Sequence, residues 1–217
     1  MNDNNIHIIV KILKKVIKKW KKPVVGRISK KKDPFKILIS TIISLRTKDQ
    51  TTYEVSTRLF KLVSTPEDII KIDKNNLEKI LYPAGFYRNK AQNILNICKD
   101  LIEKYNGSVP DNIDELLKLK GVGRKTANLV ITLGYNKPGI CVDTHVHRIS
   151  NRLGYVKTKT PEQTELSLRK KLPLKYWIIF NDLLVTFGQN QCTPISPYCS
   201  ICEIFNYCDR INVVKYR

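Results

Sequence analysis

At 217 residues the chain can bury one substantial core or two small ones, so it needs neither disulfides nor a partner chain for want of apolar surface. Lys and Arg number 39 against 19 acidic residues, a formal charge of +20, and residues 1–32 hold eleven basic side chains opposed only by Asp3. Such a field favours a polyanionic partner, with a membrane surface a weaker candidate and mere solubility the plain alternative.

Along the chain, Ile6, Ile9, Leu13, Val16, Ile17 and Trp20 recur every three or four residues with lysines between them, the pattern of an amphipathic helix over 6–20. The same period predicts helices over 34–45, 49–63, 87–105, 113–119, 124–133, 145–153, 161–172 and 176–187. Asp33-Pro34, Thr65-Pro66 and Thr160-Pro161 each place a capping oxygen before a proline that needs no helical donor. Asn112 with Glu115 has the form of a capping box, and Asn106-Gly107, Gly134 and Gly154 end helices. There is no run of alternating strand residues and no internal repeat, so the expected class is all-α. Residues 37–45, the most apolar stretch, are too short and too interrupted by Ser40, Thr41 and Ser44 to span a bilayer. The N-terminus lacks the order of a secretory signal, which leaves an intracellular protein as the expectation.

Four of the six cysteines, Cys192, Cys199, Cys202 and Cys208, fall within seventeen residues at spacings of six, two and five. In a reducing compartment four close thiolates point to a metal centre, and four sulfurs suit either zinc or an iron–sulfur cluster. One short Cys-x-x-Cys elbow instead of two leans towards the cluster, and two disulfides are the remaining reading. Cys98 and Cys141 stand apart in apolar surroundings, as core residues do.

Between two helical patterns lies Leu119-Lys120-Gly121-Val122-Gly123-Arg124-Lys125-Thr126-Ala127. Paired glycines permit a tight turn whose backbone N–H groups meet a phosphate at the next helix's start, although many helix–helix turns use glycine for conformational reasons alone. Lys125 follows in the first turn. There burial, neighbouring positive charge and the helix N-terminus would favour a neutral, nucleophilic amine. Eighteen positions on, within Val142-Asp143-Thr144-His145, Asp143 either caps a helix or offers a carboxylate to a developing cation.

The hairpin with Lys125, the Asp143 segment at its separation and the cysteine spacing together resemble the endonuclease III family of the helix-hairpin-helix DNA glycosylase superfamily, from about Lys11 to Cys208. The resemblance implies two helical lobes with a DNA-binding cleft between them. One is a six-helix barrel over 27–137 with the hairpin; the other, 1–26 with 138–217, carries a [4Fe–4S] cluster on Cys192, Cys199, Cys202 and Cys208. It implies a bifunctional glycosylase and abasic-site lyase acting on double-stranded DNA, in which Lys125 attacks C1′ of a flipped nucleotide, forms a Schiff base and β-eliminates the 3′ phosphate while Asp143 stabilises the sugar cation. Gly121, Val122, Gly123, Arg124 and His145 would contact DNA. In 84–90, Phe86 stands at the family's wedge position, against the alternative that it packs in the core.

Two departures bear on substrate choice. Arg46, in Ser44-Leu45-Arg46-Thr47-Lys48-Asp49, replaces a glutamine that in many members fills the space the base vacates. Residues 193–198 lack basic side chains that commonly touch phosphates there, leaving that contact to backbone groups and the lysine-rich first helix. A monofunctional adenine or mismatched thymine/uracil glycosylase would share the hairpin, aspartate and cluster, but usually lacks a lysine at position 125. A non-catalytic iron–sulfur DNA-binding module would need neither Lys125 nor Asp143. No apolar heptad is left over, so a monomer is expected.

Overall fold

In a computed structural model, which describes residues 3–21, 23–28 and 32–217, every regular element among the described residues is helical. Lys22, Lys30 and Lys31 of the basic N-terminal run lie outside them. The chain divides into two compact units, Met1–Pro23 with Ile140–Arg217, and Val24–Gly139. No helix among the described residues is long and apolar enough to cross a membrane.

Helix α1 (Asn5–Val16) buries Ile6, Ile9, Val10 and Leu13 on one face, as its period predicts, and exposes Lys11, Lys14 and Lys15 on the other. It continues as a 3-10 turn, Ile17–Lys19.

The unit Val24–Gly139 comprises α2 (Val24–Ile28), α3 (Pro34–Ser44), α4 (Asp49–Leu59), α5 (Pro66–Ile70), α6 (Lys74–Leu81), α7 (Tyr87–Tyr105), α8 (Ile113–Lys118) and α9 (Arg124–Leu129), the last running on into a π-helical turn, Val130–Gly134. Helix α3 is central because it is apolar all round: Phe35 and every residue from Ile37 to Ile43 are buried. Each such aliphatic side chain stabilises the fold by about 1.5–3 kcal/mol. Its hydroxyls survive burial by bonding backward, Ser40 Oγ to Lys36 O at 2.6 Å and Thr41 Oγ1 to Ile37 O at 2.7 Å. Asp33 caps it as expected, Oδ1 accepting from Phe35 N–H and Lys36 N–H.

Periodicity missed α2 and α5, of five residues each, and α6, a polar helix in which only Leu77 and Leu81 are buried; Ile69 of α5 is fully buried as well. The capping box forms at Thr65 and Asp68 and not at Asn112. Asn112 Oδ1 accepts from Asp114 N–H alone, because Glu115 turns instead to Tyr105 Oη (2.9 Å) and Lys118 Nζ (2.6 Å).

In the other unit α1 joins α10 (Thr144–Arg152), α11 (Pro161–Lys171) and α12 (Trp177–Asn190). Their core gathers Ile6, Ile9 and Leu13 with Val146, Ile149, Phe180, Leu184 and Phe187. After α12 the only regular element among the described residues is the 3-10 turn Phe205–Tyr207. From Cys192 onward only Pro197 and Ile204 are fully buried.

Candidate functional site

The turn from α8 to α9 has the form the sequence suggests. Gly121 takes φ +82°, Val122 is buried beneath the turn with its N–H on Leu119 O (3.0 Å), and Gly123 starts α9, its carbonyl accepting from Ala127 N–H at 3.0 Å. Gly123 brings no side chain to the helix end, the local condition for an external anion to sit there. Lys125 stands half-buried in the first turn, followed by the buried Thr126, Ala127 and Asn128.

A Cβ on Gly121 would collide with the side-chain amide of Asn93, a residue of α7 that lies over the turn. Gly121→Ala therefore meets both a positive φ and a steric block, and only the block can relax. We expect a loss of about 1–3 kcal/mol, read as a fall of roughly 5 °C in the melting midpoint; an unchanged midpoint would show that the turn does not need glycine.

Arg46 and Phe86, named separately from sequence, come together. Phe86 is 59% exposed, so it is not a core residue. Arg46 is exposed too, and its guanidinium lies over the Phe86 ring at 5.4 Å. Both adopt left-handed backbone, φ +52° and +57°. Their turns touch through the main chain, since a Cβ on Gly85 would collide with Arg46 O. Gly85 N–H donates to Thr47 Oγ1 at 3.1 Å.

Beneath them lies Lys90, a residue that sequence reading left without a role. It is 7% exposed, and Nζ donates to Ile43 O (2.6 Å), Leu45 O (2.6 Å) and Thr47 Oγ1 (2.7 Å). Loss of solvation pulls its pKa down to about 8. The signal was present in the sequence: Lys90 shares the buried stripe of α7 with Ile94, Ile97 and Leu101, where a lysine is out of place.

In the second unit, Asp143 is the N-cap of α10; Oδ1 accepts from His145 N–H and Val146 N–H, both at 2.9 Å. The half-buried His145 accepts at Nδ1 from Arg148 Nη2 (3.1 Å). The same guanidinium donates to Gly188 O (3.1 Å) and Cys192 O (2.8 Å), and burial lowers its pKa. Arg148 thus ties the Asp143 helix to the start of the cysteine segment.

Cys192, Cys199, Cys202 and Cys208 line one cavity with Ile149, Leu153 and Phe187. Among the described residues no three His, Cys, Asp or Glu side chains are gathered to hold a single metal ion. The four thiols line an otherwise apolar space, a donor set that suits a sulfur-ligated metal group. Burial raises the thiol pKa of Cys199 and Cys208 and pushes Cys202 up to about 12.

Arg152 braces the segment, Nη1 donating to Cys192 Sγ (3.4 Å) and Thr193 O (2.7 Å) and Nη2 to Pro194 O (2.6 Å). Basic side chains do reach this loop, from elsewhere in the chain: Arg152, and Arg217, whose guanidinium stacks on Tyr198 at 4.0 Å. Cys98 and Cys141 are buried core residues.

Residues 39–174 match the HhH-GPD superfamily of base excision DNA repair proteins. The endonuclease III of Thermotoga maritima is 46% identical over 202 residues, 93% of this chain and 92% of that protein. The endonuclease III of Bacillus subtilis is 38% identical over 177 residues, 81% of each. Among solved structures, a trapped endonuclease III–DNA covalent intermediate superimposes with a TM-score of 0.86 at 36% identity, covering 97% of both chains. A thermostable thymine-DNA glycosylase gives 0.75 at 27%, over 82% of this chain and 84% of that one. On these matches, and on the hairpin, the aspartate-capped helix and the four-cysteine segment, the chain belongs to the endonuclease III family of helix-hairpin-helix base excision repair glycosylases.

Proposed function

We propose that this protein excises oxidised pyrimidines from double-stranded DNA and cuts the strand 3′ to the resulting abasic site, as a bifunctional glycosylase and lyase. The observation that carries the reading is Lys125, half-buried in the first turn after a glycine hairpin, in a chain of this family. The turn at Gly121, Val122, Gly123 and Arg124 holds the backbone phosphates, and His145 contacts the DNA from α10. Arg46 and Phe86 enter the duplex, Phe86 stacking where the base has left.

The Lys125 amine attacks C1′ of the extruded nucleotide, and the base departs with the glycosidic electron pair, taking up a proton. Ring opening leaves an imine between Nζ and C1′. Removal of a C2′ proton then expels the 3′ phosphate. Oδ1 of Asp143 is committed to the α10 cap, so stabilising the developing sugar cation falls to Oδ2. Cys192, Cys199, Cys202 and Cys208 would hold a [4Fe–4S] cluster, which when bound supplies four strong ligand bonds to a segment with little core of its own.

The test is a duplex carrying one thymine glycol, incubated with the protein and borohydride. A covalent adduct on a denaturing gel is the expected outcome. Base loss without an adduct would favour a monofunctional mismatch glycosylase, and no reaction would favour a non-catalytic DNA-binding module.

Asp143→Asn separates capping from chemistry, because asparagine caps as well as aspartate. We expect an unchanged melting midpoint and an excision rate lower by about 10²–10⁴-fold. A wild-type rate would reduce Asp143 to a cap.

A further inference from the structure

We propose that Lys90 is a positioning residue for base extrusion: its ammonium sets the Arg46 turn against the Phe86 turn, and so determines how the two side chains enter the duplex together. This rests on the reading that Arg46 and Phe86 are the groups that do so. Lys90 touches neither side chain.

The geometry is that of a hub. A helix end leaves its last carbonyls unsatisfied, and at the surface water would fill them. At the end of α3, one tetrahedral ammonium takes Ile43 O, Leu45 O and Thr47 Oγ1 at 2.6–2.7 Å. Its position at a helix C-terminus also suits a positive charge. Thr47 Oγ1 passes the constraint on, accepting the Gly85 N–H at 3.1 Å just ahead of Phe86. Lys90 is itself in the first turn of α7, its own N–H on Phe86 O at 3.0 Å. Both turns are therefore fixed from below by one residue.

The turns need such a fixture. Left-handed backbone at a non-glycine residue persists only where surrounding contacts over-determine it, and here it occurs twice, at Arg46 and Phe86, in turns that meet through Gly85 and Arg46 O. The exposed cation–π contact at 5.4 Å is a weak tie by itself. A glutamine at position 90 would offer one amide, too few donors for three acceptors.

Abasic sites in single-stranded DNA have no pairing to break and no void to fill, so their cleavage reports Lys125 chemistry alone. Cleavage of the same site in a duplex adds the Arg46–Phe86 step. Lys90→Met is expected to raise the ratio of single-strand to duplex cleavage about tenfold or more. Thr47→Val, which removes the link between the turns together with one of the three acceptors of Lys90, is expected to raise it about threefold, with a fall of a few degrees in the melting midpoint. In an Arg46→Ala/Phe86→Ala background, Lys90→Met should change the ratio no further, because the groups it positions are gone.

A ratio unmoved in both Lys90→Met and Thr47→Val overturns the proposal, as does a full additional effect in the double-alanine background. If Arg46→Ala/Phe86→Ala itself leaves the ratio at the wild-type value, the wedge reading fails and the proposal with it. Borohydride trapping on the single strand reports separately whether the lysine chemistry stands.

Discussion

Lys125→Gln is expected to abolish the borohydride-trapped adduct and to lower cleavage of an abasic duplex by at least about 10³-fold. A carboxamide nitrogen is not nucleophilic and cannot condense to an imine, so neither base expulsion by attack at C1′ nor the elimination that follows has a route through position 125. The variant must be distinguished from one that merely binds DNA poorly, since Lys125 follows the turn proposed to hold phosphates and carries one of the 39 basic charges. Lys125→Arg makes that distinction. It keeps the charge, but a guanidinium protonated at any workable pH supplies no free amine. If the lysine acts as a charge, arginine retains most of the rate and glutamine loses part of it through affinity. If it acts as a nucleophile, both variants bind an abasic duplex within a few-fold of wild type and neither gives an adduct. An adduct in either variant would assign the Schiff base to another lysine.

Much of this site could be read from the chain because its parts are local. Gly121, Gly123 and Lys125 lie within five residues, and conformational demand fixes the turn they make. Asp143 was legible as a cap from its place before a helical period, and the structure puts both cap bonds on one oxygen. The four cysteines were legible from spacing alone, and they line one cavity. Helix α3 was visible as an apolar run, and Asp33-Pro34 marked its start.

What escaped the sequence is what long-range packing creates. Arg46 and Phe86 are forty residues apart, and no local rule says that they stack or that Thr47 bonds the glycine between them. Lys90 closes the 84–90 segment in sequence, yet it is buried because α7 turns that face onto the end of α3. Asn93 over Gly121 is a contact of the same kind. Glu115 was paired with Asn112 by spacing, but a phenol ten residues upstream competed for it successfully. Helix α5 gave too few turns for a period to show and α6 buries only Leu77 and Leu81 in a polar run, and tertiary burial of these residues and Ile69 holds them.

The same argument about packing predicts the second large effect, at Cys202. Beyond α12 the chain buries almost nothing of its own, only Pro197 and Ile204 among the described residues from Cys192 onward. Main-chain acceptors bound by Arg152 and Arg210 cannot replace a core. On the proposed function, ligation by the four thiolates is then what orders the segment. Losing one ligand should cost more than about 4 kcal/mol, on the order of 10 °C in the melting midpoint of a chain this size. Cys202→Ser is expected to show that fall together with loss of bound iron and of visible absorbance. Cys98→Ala supplies the comparison, since that thiol is more deeply buried than Cys202 but stands in the other unit's core, far in sequence from the cysteine segment. It should lose roughly 1 kcal/mol and keep its iron. If Cys202→Ser costs no more than Cys98→Ala and the iron stays, Cys202 is a packing residue. If both wild type and variant purify with stoichiometric zinc, the donors are right and the metal assignment is wrong.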